Sequence, residues 1–259
     1  LYTQKPGNTD KSIFLKGTSP QFFTAISAMF LSIFKRKPWV MEVRDLWPDS
    51  IVAVGYLSKD SIIFRFLKKI ETTLYRNANK IVVVSKSFKK YLIKNNFDKN
   101  KISIIYNGFQ IEKKSKKTNI DLRKKLNLKN KYVISYIGTI GMAHALDFII
   151  ESINDINKNF HFVFIGDGAM KKKLIIESSK KKLNNVTFVD SVPRNEIFDY
   201  IDISDASLVN LKKSDDFKKV IPSKIFENVF LKKPILLGVE GESKYLIEKY
   251  SLGIAFLPE

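Results

Sequence analysis

Val133-Ile134-Ser135-Tyr136-Ile137-Gly138-Thr139-Ile140-Gly141 is a run of strand-forming residues that breaks on a glycine turn. Phe160-His161-Phe162-Val163-Phe164-Ile165-Gly166-Asp167-Gly168 repeats the pattern after an intervening helical stretch over 146–156. Continuous apolar strands that alternate with helices specify βαβ units, hence a parallel sheet covered on both faces. Towards the C-terminus the alternation continues, with helices over 171–182, 194–201, 223–231 and 243–250 and strands over 186–189, 206–209 and 234–238. Towards the N-terminus the same reading gives strands over 12–15, 39–43, 81–84 and 102–106. A helix over 20–34 has Pro20 near its first turn, where the missing N–H costs nothing. In the helix over 61–75, Phe64, Leu67, Ile70 and Leu74 fall at helical spacing, with Arg65, Lys68, Lys69 and Arg76 on other faces. Ser85 opens a helix that runs to 93.

A polar, lysine-rich passage over 110–131, with a short helix at 121–126, separates the two alternating halves. The expected organisation is therefore α/β. A first Rossmann-like domain spans 1–110, a linker 111–131 and a second Rossmann-like domain 132–259, the two facing one another across a cleft. No repeat of solenoid period is present.

The net charge of +19 points to an anionic partner. Its lysines are spread along the chain, which gives a generally positive surface and not a groove, and the same excess follows from an AT-rich coding bias. RNP aromatics, zinc spacings and basic recognition helices are absent, which sets nucleic acid aside as a partner. With no cysteine, disulfide frameworks, thiolate chemistry and cysteine zinc sites are excluded. The apolar run 22–34 is too short to span a bilayer and ends in Lys35-Arg36-Lys37; it reads as a core helix or an interfacial one. The chain carries no signal peptide and begins at Leu1 without a Met, so a preceding segment is expected.

In an open α/β sheet, ligands bind beyond the carboxyl ends of the strands. Gly138, Thr139 and Gly141 follow one strand, where glycine lets backbone approach a ligand. Gly166 and Gly168 follow the next, with Lys171 at the opening of a helix, either reaching a phosphate or merely solvated in its lysine cluster. In Ile221-Pro222-Ser223-Lys224-Ile225-Phe226-Glu227, Pro222 and Ser223 start a helix. The N–H groups of Ser223, Lys224 and Ile225 are expected to be free for an anion. Glu227 is either a ribose-binding carboxylate or a helix-dipole partner. In the first half, Arg44, Asp45 and Asp49 of Val43-Arg44-Asp45-Leu46-Trp47-Pro48-Asp49 bring charge to a strand end, or form only a turn.

Taken in order, Gly138-Thr139-Ile140-Gly141, Gly166-Asp167-Gly168 with Lys171, Pro222-Ser223-Lys224 with Glu227, and Lys233-Pro234-Ile235 resemble glycosyltransferase family 4. More narrowly they are similar to bacterial fucosamine and amino-sugar transferases of polysaccharide assembly. Arg44 to Asp49, Val83-Val84-Ser85 and Tyr106-Asn107-Gly108 extend the resemblance over nearly the whole chain. It implies the GT-B fold and retaining transfer of a sugar from a nucleotide donor, UDP before GDP, with no metal or other cofactor. The acceptor would be a glycan or polyprenyl-linked glycan at the cytoplasmic face of the membrane, with the basic surface resting on an anionic leaflet.

By the same resemblance Lys171 and the amides after Pro222 would hold the diphosphate. Glu227 would bind ribose, Val189, Asp190 and Val192 would lie against the base, and Arg44, Asp45, Lys171 and Glu227 would serve catalysis, Lys171 by offsetting charge on the leaving diphosphate. Many relatives carry a second glutamate eight positions before Glu227; here that residue is Lys219, which would touch phosphate or sugar instead. His144 would face the donor, whereas His161 begins a strand and reads as structural. The family's first glycine-rich loop and closing C-terminal helices are not in the sequence, so both domains are expected to be incomplete. The alternative reading is a non-catalytic remnant that keeps a nucleotide pocket.

Overall fold

The computed structural model describes residues 14–108 and 119–258. Two compact units divide the chain, residues 1–107 with 219–221 and residues 108–218 with 222–259.

The first unit runs β1 (Leu15–Ser19), α1 (Phe22–Lys35), β2 (Trp39–Val43), α2 (Asp49–Ala53), α3 (Ile62–Asn77), β3 (Lys80–Val83), α4 (Lys86–Lys94) and β4 (Ile102–Ile104). Its sheet has the order β1-β2-β3-β4, with every pair parallel. Trp39, Met41, Val43, Leu74, Tyr75 and Ile81 are at the centre of its core. Only Leu15 of the strand expected over 12–15 is in β1; residues 12 and 13 lie outside the described residues. The polar Lys16-Gly17-Thr18 gives no strand pattern. Tertiary context makes it one: Leu15 to Ser19 pair in register with Trp39 to Val43. A Cβ on Gly17 would stand 2.9 Å from the Ala25 Cα of α1, so glycine lets helix and strand approach. β4 ends at Ile104 and not at 106, although Ile105 N–H still donates to the Val83 carbonyl at 2.9 Å. Side-chain caps fix the starts of two helices: Ser61 Oγ accepts from Phe64 N–H at 3.1 Å and Ser85 Oγ from Phe88 N–H at 3.0 Å.

The second unit runs α5 (Asn119–Lys125), β5 (Tyr132–Ile137), α6 (Leu146–Ile153), β6 (Phe160–Ile165), α7 (Lys171–Lys180), β7 (Val186–Val189), α8 (Arg194–Ile203), β8 (Ala206–Asn210), α9 (Lys224–Phe230), β9 (Ile235–Gly238), α10 (Glu242–Lys249) and β10 (Gly253–Ala255). Its parallel sheet has the order β10-β9-β8-β5-β6-β7. This is the doubly wound arrangement, whose strand order reverses between β5 and β8, and ligands bind at such a switch point. Those two strands pair through Ile134–Ala206 and Ser135–Ser207, near their beginnings.

Part of the passage read as a linker is built into this unit. Leu122, Leu126 and the fully buried Leu128 pack on Val133, Val163, Ile165, Tyr200 and Ile203. Arg123 donates to the Ile203 carbonyl from Nη2 at 2.6 Å and pairs with Asp205 at 2.8 Å. Three leucines among lysines are too sparse a signal to show as an element. Residues 109–118 of that passage lie outside the described residues. β10 and α2 were not legible either, each being too short to carry a period. Among the described residues no helix is long and apolar enough to cross a membrane.

Candidate functional site

The two glycine turns at the ends of β5 and β6 are built against each other. Gly138 N–H donates to the Ile165 carbonyl at 2.9 Å, Ile140 N–H to the Asp167 carbonyl at 2.8 Å, and Met170 N–H returns to the Ile140 carbonyl at 3.0 Å. A Cβ on Gly166 would lie 2.0 Å from Gly138 O, and one on Gly168 2.4 Å from Ile140 O. Both residues have positive φ, 141° and 152°, a region open to glycine alone. These glycines therefore serve the packing of loop on loop. Gly141 differs: the nearest atom to its added Cβ would be Thr139 Cγ2 at 3.5 Å.

Lys171 is the first residue of α7 and is buried, 8% exposed. Its ammonium donates to the Gly166 carbonyl at 2.9 Å, the Val189 carbonyl at 3.2 Å and Asp190 Oδ1 at 2.5 Å. An ammonium has three protons, and here the protein itself takes all three. Asp190 is exposed, and its hydrogen bond from Lys171 holds its carboxyl below the usual range. Val189 also accepts from Gly166 N–H at 3.1 Å, while Val192 packs into the core beneath α8. The predicted base-side residues are thus tied to the β6 turn through Lys171.

At the start of α9 the expected row of three free amides is reduced. Ile225 N–H donates to the Pro222 carbonyl at 3.0 Å, because Ser223 already has helical backbone angles (φ −59°, ψ −28°) and the turn closes one residue early. Lys224 extends back over β5, its ammonium 3.8 Å from the centre of the Tyr136 ring. The place a Gly138 Cβ would occupy lies 2.7 Å from Lys224 Cε and 3.0 Å from its Nζ. Among the described residues the Lys224 ammonium has no hydrogen-bond acceptor. Burial lowers its pKa to about 7, opposed by the negative field of Glu227. Glu227 is half-buried; burial raises its pKa, and the charges of Arg194 and Lys224 pull it back.

His144 sits in the turn between β5 and α6. Its ring meets Tyr136 edge-on at 5.6 Å, and its Nδ1 is 3.3 Å from the Asn210 carbonyl. Asn210 Nδ2 donates back to the His144 carbonyl at 2.8 Å, so this contact bridges the switch point between β5 and β8. Burial, then the charge of Lys224, lowers the His144 pKa to about 4, which leaves the ring neutral at neutral pH. Tyr136 O–H donates to the Thr139 carbonyl at 2.6 Å and steadies the turn from below. Tyr136, Asn210 and Arg194 were missed in the sequence. An aromatic within a strand reads as core, and an arginine after Pro193 reads as a helix opener.

The structure thus brings Gly138, Thr139, His144, Lys224 and Glu227 to one group at the end of β5, and Gly166, Gly168, Lys171, Val189 and Asp190 to another at the ends of β6 and β7. A cavity of about 510 Å³ lies beside the first group, lined by Gly141, Met142, Asp147, Glu151, Lys173 and Lys212, among others. It shares Gly141 with the predicted residues. Lys219 is in the first unit: its ammonium lies over the Tyr91 ring at 4.8 Å and its carbonyl accepts from Ser85 Oγ at 2.9 Å. In that unit Arg44 is exposed and Asp45 half-buried, the Asp45 carbonyl accepting from Ser19 Oγ at 2.8 Å. Asp49 is buried and accepts from Lys68 Nζ at 2.6 Å, which also pairs with Glu71 at 2.6 Å. His161 packs in β6 with Nε2 2.8 Å from Thr187 Oγ1. Among the described residues no cluster of three or more His, Asp or Glu is placed to hold a metal ion.

Residues 118–258 match the family described as glycosyl transferases group 1, and residues 18–113 match glycosyltransferase family 4. The probable glycosyltransferase WbjE of Pseudomonas aeruginosa is 25% identical over 247 residues, covering 93% of this chain and 61% of that protein. The uncharacterized glycosyltransferase MJ1069 of Methanocaldococcus jannaschii is 21% identical and covers 74% of this chain and 49% of its own length. The chain thus spans about half to six tenths of the length of these two relatives. Among solved structures, Anabaena Alr3699/HepE in complex with UDP aligns with a TM-score of 0.75 at 18% identity, over 94% of this chain and 65% of that one. WaaG, a glycosyltransferase involved in lipopolysaccharide biosynthesis, aligns at 0.65 with 12% identity, over 91% and 69%. The fold is the GT-B fold that the resemblance implied, and the chain belongs to the glycosyl transferases group 1 family.

Proposed function

We propose that the chain is the donor-binding part of a retaining glycosyltransferase that moves a sugar from a UDP-linked donor to a glycan or polyprenyl-linked acceptor in surface polysaccharide synthesis. The observation that carries this reading is the group at the switch point of the second unit. A cationic side chain, a neutral histidine and a half-buried carboxylate converge on the carboxyl end of β5, where doubly wound sheets bind nucleotides. Glu227 accepts the ribose hydroxyls. Cations near the diphosphate offset the charge that grows on the leaving group as the sugar–phosphate bond breaks. That HepE has been solved with UDP and with UDP-glucose favours uridine donors, and the retaining outcome rests on the family resemblance. Arg44 and Asp45 are assigned to the acceptor side.

The membrane-facing part of the proposal rests on α1 and α3. Phe23, Phe30 and Phe34 recur at helical spacing and are 83%, 62% and 80% exposed. Ile62, Ile63 and Phe66 are exposed on α3, which packs beside α1. Lys35, Arg36 and Lys37 follow α1 directly. Aromatic side chains beside a basic cluster suit the interface of an anionic leaflet. We therefore place the enzyme at the inner face of the cytoplasmic membrane. Flotation with acidic vesicles that falls with salt, and with Phe30→Ser and Phe34→Ser, supports this; flotation unchanged by either counts against it.

Calorimetric titration with UDP tests the donor reading. Glu227→Ala is expected to weaken UDP binding by about 1–3 kcal/mol, because hydroxyls are left unpaired in the site. Equal binding by both chains would remove Glu227 from the site.

A further inference from the structure

We propose that the side chain of Lys224, and not that of Lys171, is the cation that receives the diphosphate of the nucleotide donor. The inference rests on the donor-binding reading above and assigns a residue within it. The two lysines stand in opposite states. Lys171 has three protein oxygens for its three protons, at 2.9, 3.2 and 2.5 Å, so a phosphate could reach it only by breaking the bonds that join the β6 turn to β7. Lys224 has a polarisable wall and, among the described residues, no acceptor. The Tyr136 ring lies 3.8 Å away on one side and favours the charged form. Three N–H donors then remain unspent in a site that excludes part of the water.

The second observation is the seat made for this side chain. Gly138 has φ +132°, and any Cβ there would overlap Lys224 Cε at 2.7 Å. A turn that reads in the sequence as an approach for ligand backbone contacts is, in the structure, the slot that holds a lysine over Tyr136. Tyr136 is itself fixed through its O–H to Thr139. An ammonium held on a ring face, with no hydrogen-bond acceptor among the described residues, gains most when an anion arrives to take its protons; a diphosphate supplies several charged oxygens for that purpose.

The test is titration of the chain with UDP, uridine and inorganic pyrophosphate, repeated on Lys224→Met, Lys224→Arg and Lys171→Met, with thermal melts to show that each variant folds. Lys224→Met is expected to weaken UDP by about tenfold or more, to abolish pyrophosphate binding and to leave uridine unchanged, while Lys224→Arg keeps most of the affinity for both anions. UDP and pyrophosphate binding Lys224→Met as tightly as the parent chain would overturn the assignment. So would an equal loss of uridine affinity, which would mean a damaged pocket. Pyrophosphate binding that depends on Lys224, without binding of UDP or GDP, would keep the cation and overturn the donor reading. A folded parent chain that binds none of UDP, GDP and pyrophosphate would overturn both.

Discussion

The turn after β6 and the start of α9 each present a lysine at the carboxyl edge of the same sheet, and the two lysines have been given opposite surroundings. Lys171 closes a ring of carbonyls and a carboxylate. Lys224 rests on an aromatic face with its protons unspent. The first unit supplies a third case. Lys68 is half-buried, and it lies between Asp49 and Glu71 with Tyr91 beside it. Burial alone would push its pKa down, but those partners outweigh burial and hold it above the ordinary lysine value. Burial is thus not what marks a lysine for function. The number of protein acceptors it already has separates a brace from a binding group.

Beneath Lys171 the tightest position is Gly166, whose carbonyl takes one of the lysine's protons. Gly166→Ala puts a Cβ 2.0 Å from a backbone oxygen at positive φ; a stability loss of about 3 kcal/mol or more is expected in urea unfolding. A loss below about 1 kcal/mol would mean that the two turns are not interlocked as described. Next comes Lys171→Met, which leaves the Gly166 carbonyl without its donor and the Val189 carbonyl with only the Gly166 N–H, and should cost about 1–3 kcal/mol. Lys224→Met takes a hydrogen-bond donor from no described residue, losing only the Tyr136 ring contact and the field of Glu227, and should change stability by less than Lys171→Met does. The reverse ranking of the two variants would undo the contrast.

The pH dependence of stability sharpens it further. The Lys224 pKa of about 7 in the folded chain lies below the ordinary value of about 10.4. Between those values the unfolded chain binds the extra proton, so stability gains a rising component as pH increases from about 7 towards 10. Lys224→Met, measured as the urea midpoint against pH, should remove that component; the titratable groups nearest to it are Tyr136, whose own pKa burial raises, Glu227 and His144. His144 acts lower down. Its folded pKa of about 4 lies under the unfolded value of about 6.5, so stability is complete above about 6.5 and is lost as pH falls towards 4. His144→Asn should flatten that acid limb; an unchanged limb would assign it to the carboxylates. The smallest effect is expected at Gly141→Ala, where the added methyl meets only ordinary contact at 3.5 Å; the unfolding midpoint should move by no more than about 0.5 kcal/mol equivalent.

Alternation of strand and helix, the parallel sheets, the glycine turns at strand ends and the helix start at Pro222-Ser223 were all present in the sequence. Each is a local or periodic property that a chain carries before it folds. Helix caps at Ser61 and Ser85 belong to the same class. β1, with its polar centre, became a strand only because β2 offered a register and Gly17 admitted α1. The leucines of 122–128 joined the second unit only because a core was there to receive them. The site divides in the same way. Sequence placed lysines, glycines and a glutamate just beyond strand ends, since residue type and position are written in the chain. Which lysine has its protons taken by the protein and which does not depends on groups far apart in sequence: Lys171 meets Val189 and Asp190, and Lys224 meets Tyr136. Hydrogen bonding and burial are pairwise properties of the folded chain, so only the tertiary structure could decide them.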